Sequence, residues 1–231
     1  MSELPSSEIR AIVFDLDGTL YVCDRFAAEI QDASAAYIAR LKGISPEDAM
    51  LLMAATRSRL TEASGTVQTI SAVCKELGGS VPELHRFFAA NLRPEAYLVR
   101  DERVIRLLER LAGQFSLYIY TNNNRVLTAR IMDYLGLDRA VHGVFTIDDS
   151  WRGKPDEGMV RRVLEAIGCA PHEALFVGDH YDVDLRVPEQ LGCPVYLSQT
   201  LEQLLRLEEL ITRSFPADTP AVPADPPAAR S

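Results

Sequence analysis

The chain has 231 residues, 47% of them hydrophobic and 25% charged, a balance that suits a folded globular protein and excludes wholesale disorder. Its 24 Lys and Arg against 33 Asp and Glu leave a net charge of −9, which argues against nucleic acid or an anionic membrane as partner, since both demand a basic face. No apolar run is long enough to span a bilayer, Met1 to Arg10 lacks the basic and apolar regions of a secretory signal, and Cys23, Cys74, Cys169 and Cys193 form no CxxC pair, so a cytoplasmic protein with reduced thiols is expected.

In chain order, the apolar run Ile9 to Phe14 ends in Asp15-Leu16-Asp17-Gly18 and predicts a buried strand followed by a turn. From Asp24 to about Leu98 there is no convincing strand, and four helices are expected. Ser45-Pro46-Glu47-Asp48 has a Ser cap, Pro at the first helical position and acids in the first turn, the marks of a helix start. Ser80-Val81-Pro82-Glu83 has the spacing of a capping box. Ala49, Leu52, Met53 and Thr56 read as packing between these helices. A stretch of roughly 75 residues is too long for a crossover within a sheet and reads as an inserted helical subdomain.

Beyond it, helices over Asp101–Leu111, Val126–Leu135 and Met159–Ile167 alternate with strands over Phe115–Tyr120, Val141–Thr146, Ala174–Val177 and Pro194–Leu197. This predicts an α/β fold, a doubly wound and mostly parallel sheet of the Rossmann type with a helical insert. Residues 1–23 and 99–213 would form the core and 24–98 the insert. The segment 214–231, with five prolines among Ala and Asp, would be a disordered tail.

Polar residues follow three of the predicted strands: Asp15 and Asp17, Thr121, and Asp179. Ligands bind at the carboxyl ends of strands in open parallel sheets, so these residues should converge. Several carboxylates in one cleft repel one another unless a cation sits among them, and hard oxygen ligands select Mg²⁺. Such a site, with a hydroxyl, a lysine and backbone amides, suits a phosphoryl group.

Phe14-Asp15-Leu16-Asp17-Gly18-Thr19-Leu20, Tyr120-Thr121-Asn122, Lys154-Pro155 and Val177-Gly178-Asp179 with Asp184 resemble, in order, the four motifs of the haloacid dehalogenase-like superfamily. The resemblance runs from about Ile9 to Leu210. It implies Asp15 as nucleophile and Asp17 as acid and base. It further implies Thr121 on the phosphoryl group, and Lys154 against Asp15 and the phosphoryl oxygens. Mg²⁺ would be held by Asp15, the backbone carbonyl of Asp17, and Asp179. Asp179, Asp182 and Asp184 leave the second acid of the last motif open; Asp184 is favoured, because Leu185 to Gly192 then runs as the usual short helix, which Pro188 would shorten or kink. His180 reads as a solvated turn residue.

A second Asp at position 17 argues for phosphoryl chemistry rather than dehalogenation. The insert after the first motif resembles a C1-type cap, and the layout looks most like the branch of pyrimidine 5′-nucleotidases and phosphoglycolate-phosphatase-like enzymes. The expectation is therefore a Mg²⁺-dependent phosphatase, monomer or homodimer, acting on a small phosphorylated metabolite through an aspartyl-phosphate. A phosphosugar mutase and a non-catalytic phosphometabolite-binding protein are the alternatives. A receiver-type signalling module is disfavoured by the order of its acids along the chain. Asn122, Arg57, Arg59 and His85 are the candidate substrate contacts. Arg57 and Arg59, two apart on a helix, cannot share a face.

Overall fold

A computed structural model describes residues 9–214. Five parallel strands form one sheet: β1 Ala11–Phe14, β2 Ser116–Tyr120, β3 Gly143–Phe145, β4 Ala174–Gly178 and β5 Val195–Leu197, in the order β3-β2-β1-β4-β5. The central strand β1 is buried along its whole length, as its uninterrupted apolar sequence requires. Phe14 lies beside Ile119 on one neighbour and Val177 on the other. The residues that follow these three strands therefore leave the sheet along one edge.

Alternation within the strands divides the apolar residues between two layers. Ile12, Phe14, Leu117, Ile119, Leu175 and Val177 pack with α5 (Glu102–Ala112) and α6 (Arg125–Leu135). Val13, Ala174 and Phe176 pack with α7 (Glu157–Ile167). The described residues end with α8 (Arg186–Gln190), α9 (Leu201–Leu205) and α10 (Leu207–Ser214). Ser214 thus ends a helix instead of opening the tail, and the rest of that expected tail, 215–231, lies outside the described residues. The expected helix after Asp184 begins one residue later, at Arg186, and a π-helical turn over Tyr181–Leu185 precedes it.

Between β1 and α5 run α1 (Asp24–Lys42), α2 (Pro46–Ser64), α3 (Ile70–Glu76) and α4 (Val81–Asn91). Ser45 Oγ accepts the Asp48 N–H at 3.0 Å, as its sequence predicts. The expected capping box at Ser80 does not form. The phenol of Tyr37, on α1, accepts the Ser80 N–H at 3.2 Å and donates to Glu83, taking the two groups of one of the box's two bonds. Ala49, Met53 and Thr56 are buried, but Leu52 is 36% exposed, because it lies to the side of the i, i+4, i+7 stripe the others form.

The helical segment is not packed apart from the sheet. Its Phe26, Ile38, Met53, Leu84 and Phe88 belong to the same apolar cluster as Ile12 and Phe14. At its far end Arg130 of α6 donates to the Leu92 carbonyl at 3.0 Å and pairs with Glu95 at 2.8 Å. No helix among the described residues is long and apolar enough to cross a membrane. All four cysteines are free.

Candidate active site

The strand ends bring together residues far apart in the chain. Lys154, 3% exposed, donates from Nζ to Asp15 Oδ1 at 2.5 Å, to Asp184 Oδ1 at 2.6 Å and to the Tyr120 carbonyl at 2.9 Å. All three of its ammonium hydrogens are thus committed. A surface lysine ahead of a helix would show none of this. Asp184 rather than Asp182 is the acid that meets the lysine; Asp182 is half-buried and lies 3.6 Å from Arg186. The π-helical turn carries Asp184 back toward the sheet, where its Oδ2 accepts the His180 N–H at 3.1 Å. His180 itself is exposed.

Two glycines make room for the acids. A Cβ on Gly18, whose φ is +88°, would lie 2.4 Å from Asp179 Oδ2, and one on Gly178 would lie 2.4 Å from Asp184 Cβ. Carboxylate oxygens of Asp15, Asp179 and Asp184 consequently fall within 4.8 Å of one another. Burial pushes the pKa of Asp15 upward, and Asp184 and Asp17 add to the rise against the pull of Lys154. Burial and Asp184 push Asp179 up to about 6. For Lys154 burial acts against the charge, but Asp15 and Asp184 outweigh it and hold the pKa above its usual range. The lysine is therefore charged, and Asp15 and Asp184 share it.

Asp17 stands in a different environment. Its Oδ2 accepts from Asn123 Nδ2 at 2.7 Å and from Thr121 Oγ1 at 3.3 Å, and its Oδ1 accepts from the Tyr21 hydroxyl. Burial raises its pKa, and the bonds from Tyr21 and Asn123 hold it back. Two carboxylates two residues apart thus differ in kind. One is held by a cation and the other by neutral donors.

Asn122, expected at the substrate, turns its side chain to the loop that carries the lysine: Oδ1 accepts the Lys154 N–H at 2.6 Å. The candidates on the helical segment separate. Arg59 is at the surface, paired with Glu76 of α3 at 2.6 Å, and is not part of the site. Arg57 is half-buried, with only a 3.5 Å bond to Gln31 Oε1, and burial lowers its pKa. His85 is buried against Phe88 with Nε2 3.2 Å from Ser71 Oγ. Its main-chain carbonyl accepts from Asn124 Nδ2 at 3.1 Å, so it lies at the seam between α4 and the loop after β2, not in open solvent. Tyr21 and Asn123 were not singled out by sequence reasoning. Asn123 stands in a run of three asparagines whose orientations no pattern distinguishes. Tyr21 stands four residues past Asp17 in a turn, where spacing implies no contact.

The arrangement can present a nucleophilic carboxylate beside a charged lysine, exchange a proton at a second carboxyl group, and offer hard oxygen donors to a cation. The sequence model of haloacid dehalogenase-like hydrolases matches residues 9–192, and the chain belongs to that family and is a hydrolase. A pyrophosphatase, PpaX, of Bacillus velezensis is 28% identical over 185 residues, which cover 77% of this chain and 78% of that protein. The fold is similar to that of a 2-haloacid dehalogenase from Pseudomonas syringae pv. tomato, with 22% identity, a TM-score of 0.58 and coverage of 89% of this chain and 99% of the other. It is also similar to a HAD phosphatase from Thermococcus onnurineus, with 22% identity, a TM-score of 0.56 and coverage of 82% and 86%.

Proposed function

We propose that the protein is a Mg²⁺-dependent phosphatase that hydrolyses a small phosphate monoester, a nucleotide or a sugar or organic-acid phosphate, through an aspartyl-phosphate on Asp15. The observation that carries this reading is the buried lysine bonded to Asp15 while Asp17 stands apart among neutral donors. A dehalogenase needs the first feature but not a second acid.

The donor set fits Mg²⁺. Asp15, Asp179 and Asp184 against one lysine leave an excess of about two negative charges within 4.8 Å, all on hard oxygens of the type that ion prefers. The side chains of Asp15 and Asp179 and the main-chain carbonyl of Asp17 would hold it. Bound there, Mg²⁺ would neutralise charge on the phosphoryl group and the attacking carboxylate.

Lys154 opposes the rise in the Asp15 pKa and aims its carboxylate. Asp15 attacks phosphorus, the bond to the leaving oxygen breaks, and Asp17 gives that oxygen a proton. Asp17, now a carboxylate, takes a proton from a water molecule. That water attacks the acyl phosphate, releasing inorganic phosphate and freeing Asp15. Thr121 donates to the phosphoryl group as it transfers. Asp184 anchors the lysine, and Asn122 fixes the backbone that presents it. Residues 24–98 act as a cap over this chemistry. Of the three cap candidates Arg57, Arg59 and His85, Arg57 is the one not tied up elsewhere, and Gln68, Thr69 and Lys75 line a cavity that Lys154 also lines.

The relative from Bacillus velezensis is named a pyrophosphatase, which favours inorganic pyrophosphate as a second substrate to be tested beside the esters. The test is phosphate release from p-nitrophenyl phosphate, nucleoside monophosphates, sugar phosphates and pyrophosphate, with Mg²⁺ and with excess chelator. Turnover that depends on the metal is expected. No turnover of any of them, or full turnover after chelation, would overturn the proposal.

A further inference from the structure

We infer that Tyr21 is a positioning residue for Asp17: its hydroxyl fixes the plane of the Asp17 carboxyl group so that one lone pair faces the leaving oxygen. This rests on the reading of Asp17 as the acid and base.

A carboxyl group turns about its Cβ–Cγ bond, and a donor on one oxygen leaves that rotation partly open. A donor on each oxygen closes it. Asn123 Nδ2 and Thr121 Oγ1 both bond to Oδ2 of Asp17, and Oδ1 accepts from Tyr21. With Asn123 Nδ2 and Thr121 Oγ1 both donating to it, Oδ2 has both lone-pair positions taken and no room for a proton. The proton for the leaving group must then reside on Oδ1. That oxygen has two lone-pair positions. Tyr21 donates to one of them, and the other is left for the proton. The same hydroxyl can hold Oδ1 before and after the proton moves.

The hydroxyl is itself held in place. Tyr21 is 7% exposed, and its carbonyl accepts the Gly18 N–H at 2.9 Å, closing the turn that carries Asp17. Its ring lies 6.4 Å from that of Phe26, which lies 6.0 Å from that of Tyr97. Tyr21 and Tyr97 stand near the two points where the chain passes between sheet and insert, and Phe26 lies between them on the first turn of α1. The acid is thus clamped from two directions, from the loop after β2 and from the point where the chain enters the insert.

Tyr21→Phe removes the clamp and keeps the ring. The experiment measures kcat and KM of wild type and Tyr21→Phe on aryl and alkyl phosphates of graded leaving-group pKa. A good leaving group needs little protonation, a poor one needs much. Tyr21→Phe is therefore expected to lose less than about threefold on p-nitrophenyl phosphate but about tenfold or more on an alkyl phosphate, mostly in kcat. Adding Tyr21→Phe to Asp17→Asn should change the residual activity less than about twofold, since the group it positions is gone. Circular dichroism checks folding, and Tyr21→Met takes its place in the series if Tyr21→Phe does not fold. An equal loss across the series, or an undiminished effect in the Asp17→Asn background, overturns the inference while leaving the phosphatase reading intact. If the wild type turns over none of the series, that reading fails and the inference falls with it.

Discussion

His85 should make the fold sensitive to acid. The side chain is 3% exposed, its Nδ1 finds no partner among the described residues, and its Nε2 faces Ser71. Burial pushes the imidazole pKa from 6.5 down to about 4, with Asp148 only partly opposing the shift. The folded protein therefore holds a neutral imidazole that the unfolded chain protonates near pH 6.5. Because the folded pKa is the lower one, stability is complete above pH 6.5 and declines as pH falls toward 4. At about 1.36 kcal/mol per unit, the full shift corresponds to about 3 kcal/mol. Between pH 7 and pH 5 the loss should be about 1.8 kcal/mol, or about 4–7 °C of melting temperature for a chain of this size. The comparison is His85→Gln, which keeps an amide within reach of Ser71 but does not titrate. Urea unfolding of both proteins from pH 8 to pH 4.5 cancels the contribution of every other group. The wild type should lose stability relative to His85→Gln below pH 6.5. Parallel curves would mean that the folded state does not bury a neutral His85, and the reasoning would be wrong.

Three further outcomes are expected. Asp15→Asn should lower turnover at least about a hundredfold, as removal of an essential nucleophile does; steady-state assay beside circular dichroism separates this from unfolding. Arg59→Ala should leave kcat/KM for every substrate unchanged and alter stability by less than about 1 kcal/mol, because its ion pair with Glu76 is at the surface. Gly18→Ala should destabilise the fold by about 1–3 kcal/mol through its positive φ and raise the Mg²⁺ concentration needed for activity, since the new Cβ meets Asp179; a Mg²⁺ titration of turnover and a melting curve check it.

Much of the fold was legible because buried parallel strands leave a strong mark. Ala11–Phe14 and Ala174–Gly178 are short apolar runs ended by Asp or Gly, and the strands fall within a residue or two of the runs that predict them. Helices with an apolar stripe, such as α5 with Val104, Leu107, Leu108 and Leu111 buried, were equally plain. Contacts made from outside a helix were not. The Ser80 to Glu83 spacing was correct for a capping box, but Tyr37, more than forty residues away, claimed the two partners of one of its bonds. Leu52 is apolar and falls three residues after Ala49, but it lies at the side of the buried stripe and stays exposed.

The residues of the site were legible by type and less so by partner. Sequence order brings four acids, a hydroxyl and a lysine to one edge of the sheet, and electrostatics says that so many acids must be compensated. It does not say which acid is compensated by what. The structure divides them. Lys154 takes Asp15 and Asp184, while Tyr21, Asn123 and Thr121 take Asp17. That division is what allows neighbouring carboxylates to differ in chemistry. The cation beside Asp15 works against the rise that burial imposes on its pKa. Burial raises the pKa of Asp17, and the neutral donors Tyr21 and Asn123, rather than a bonded cation, do most to hold it back. Had Lys154 reached Asp17 instead, the same residues in the same order would have left no group able to protonate a leaving oxygen. The side-chain orientations that decide this come from the turn after β1 and the loop after β2, where neither helical nor strand periodicity operates.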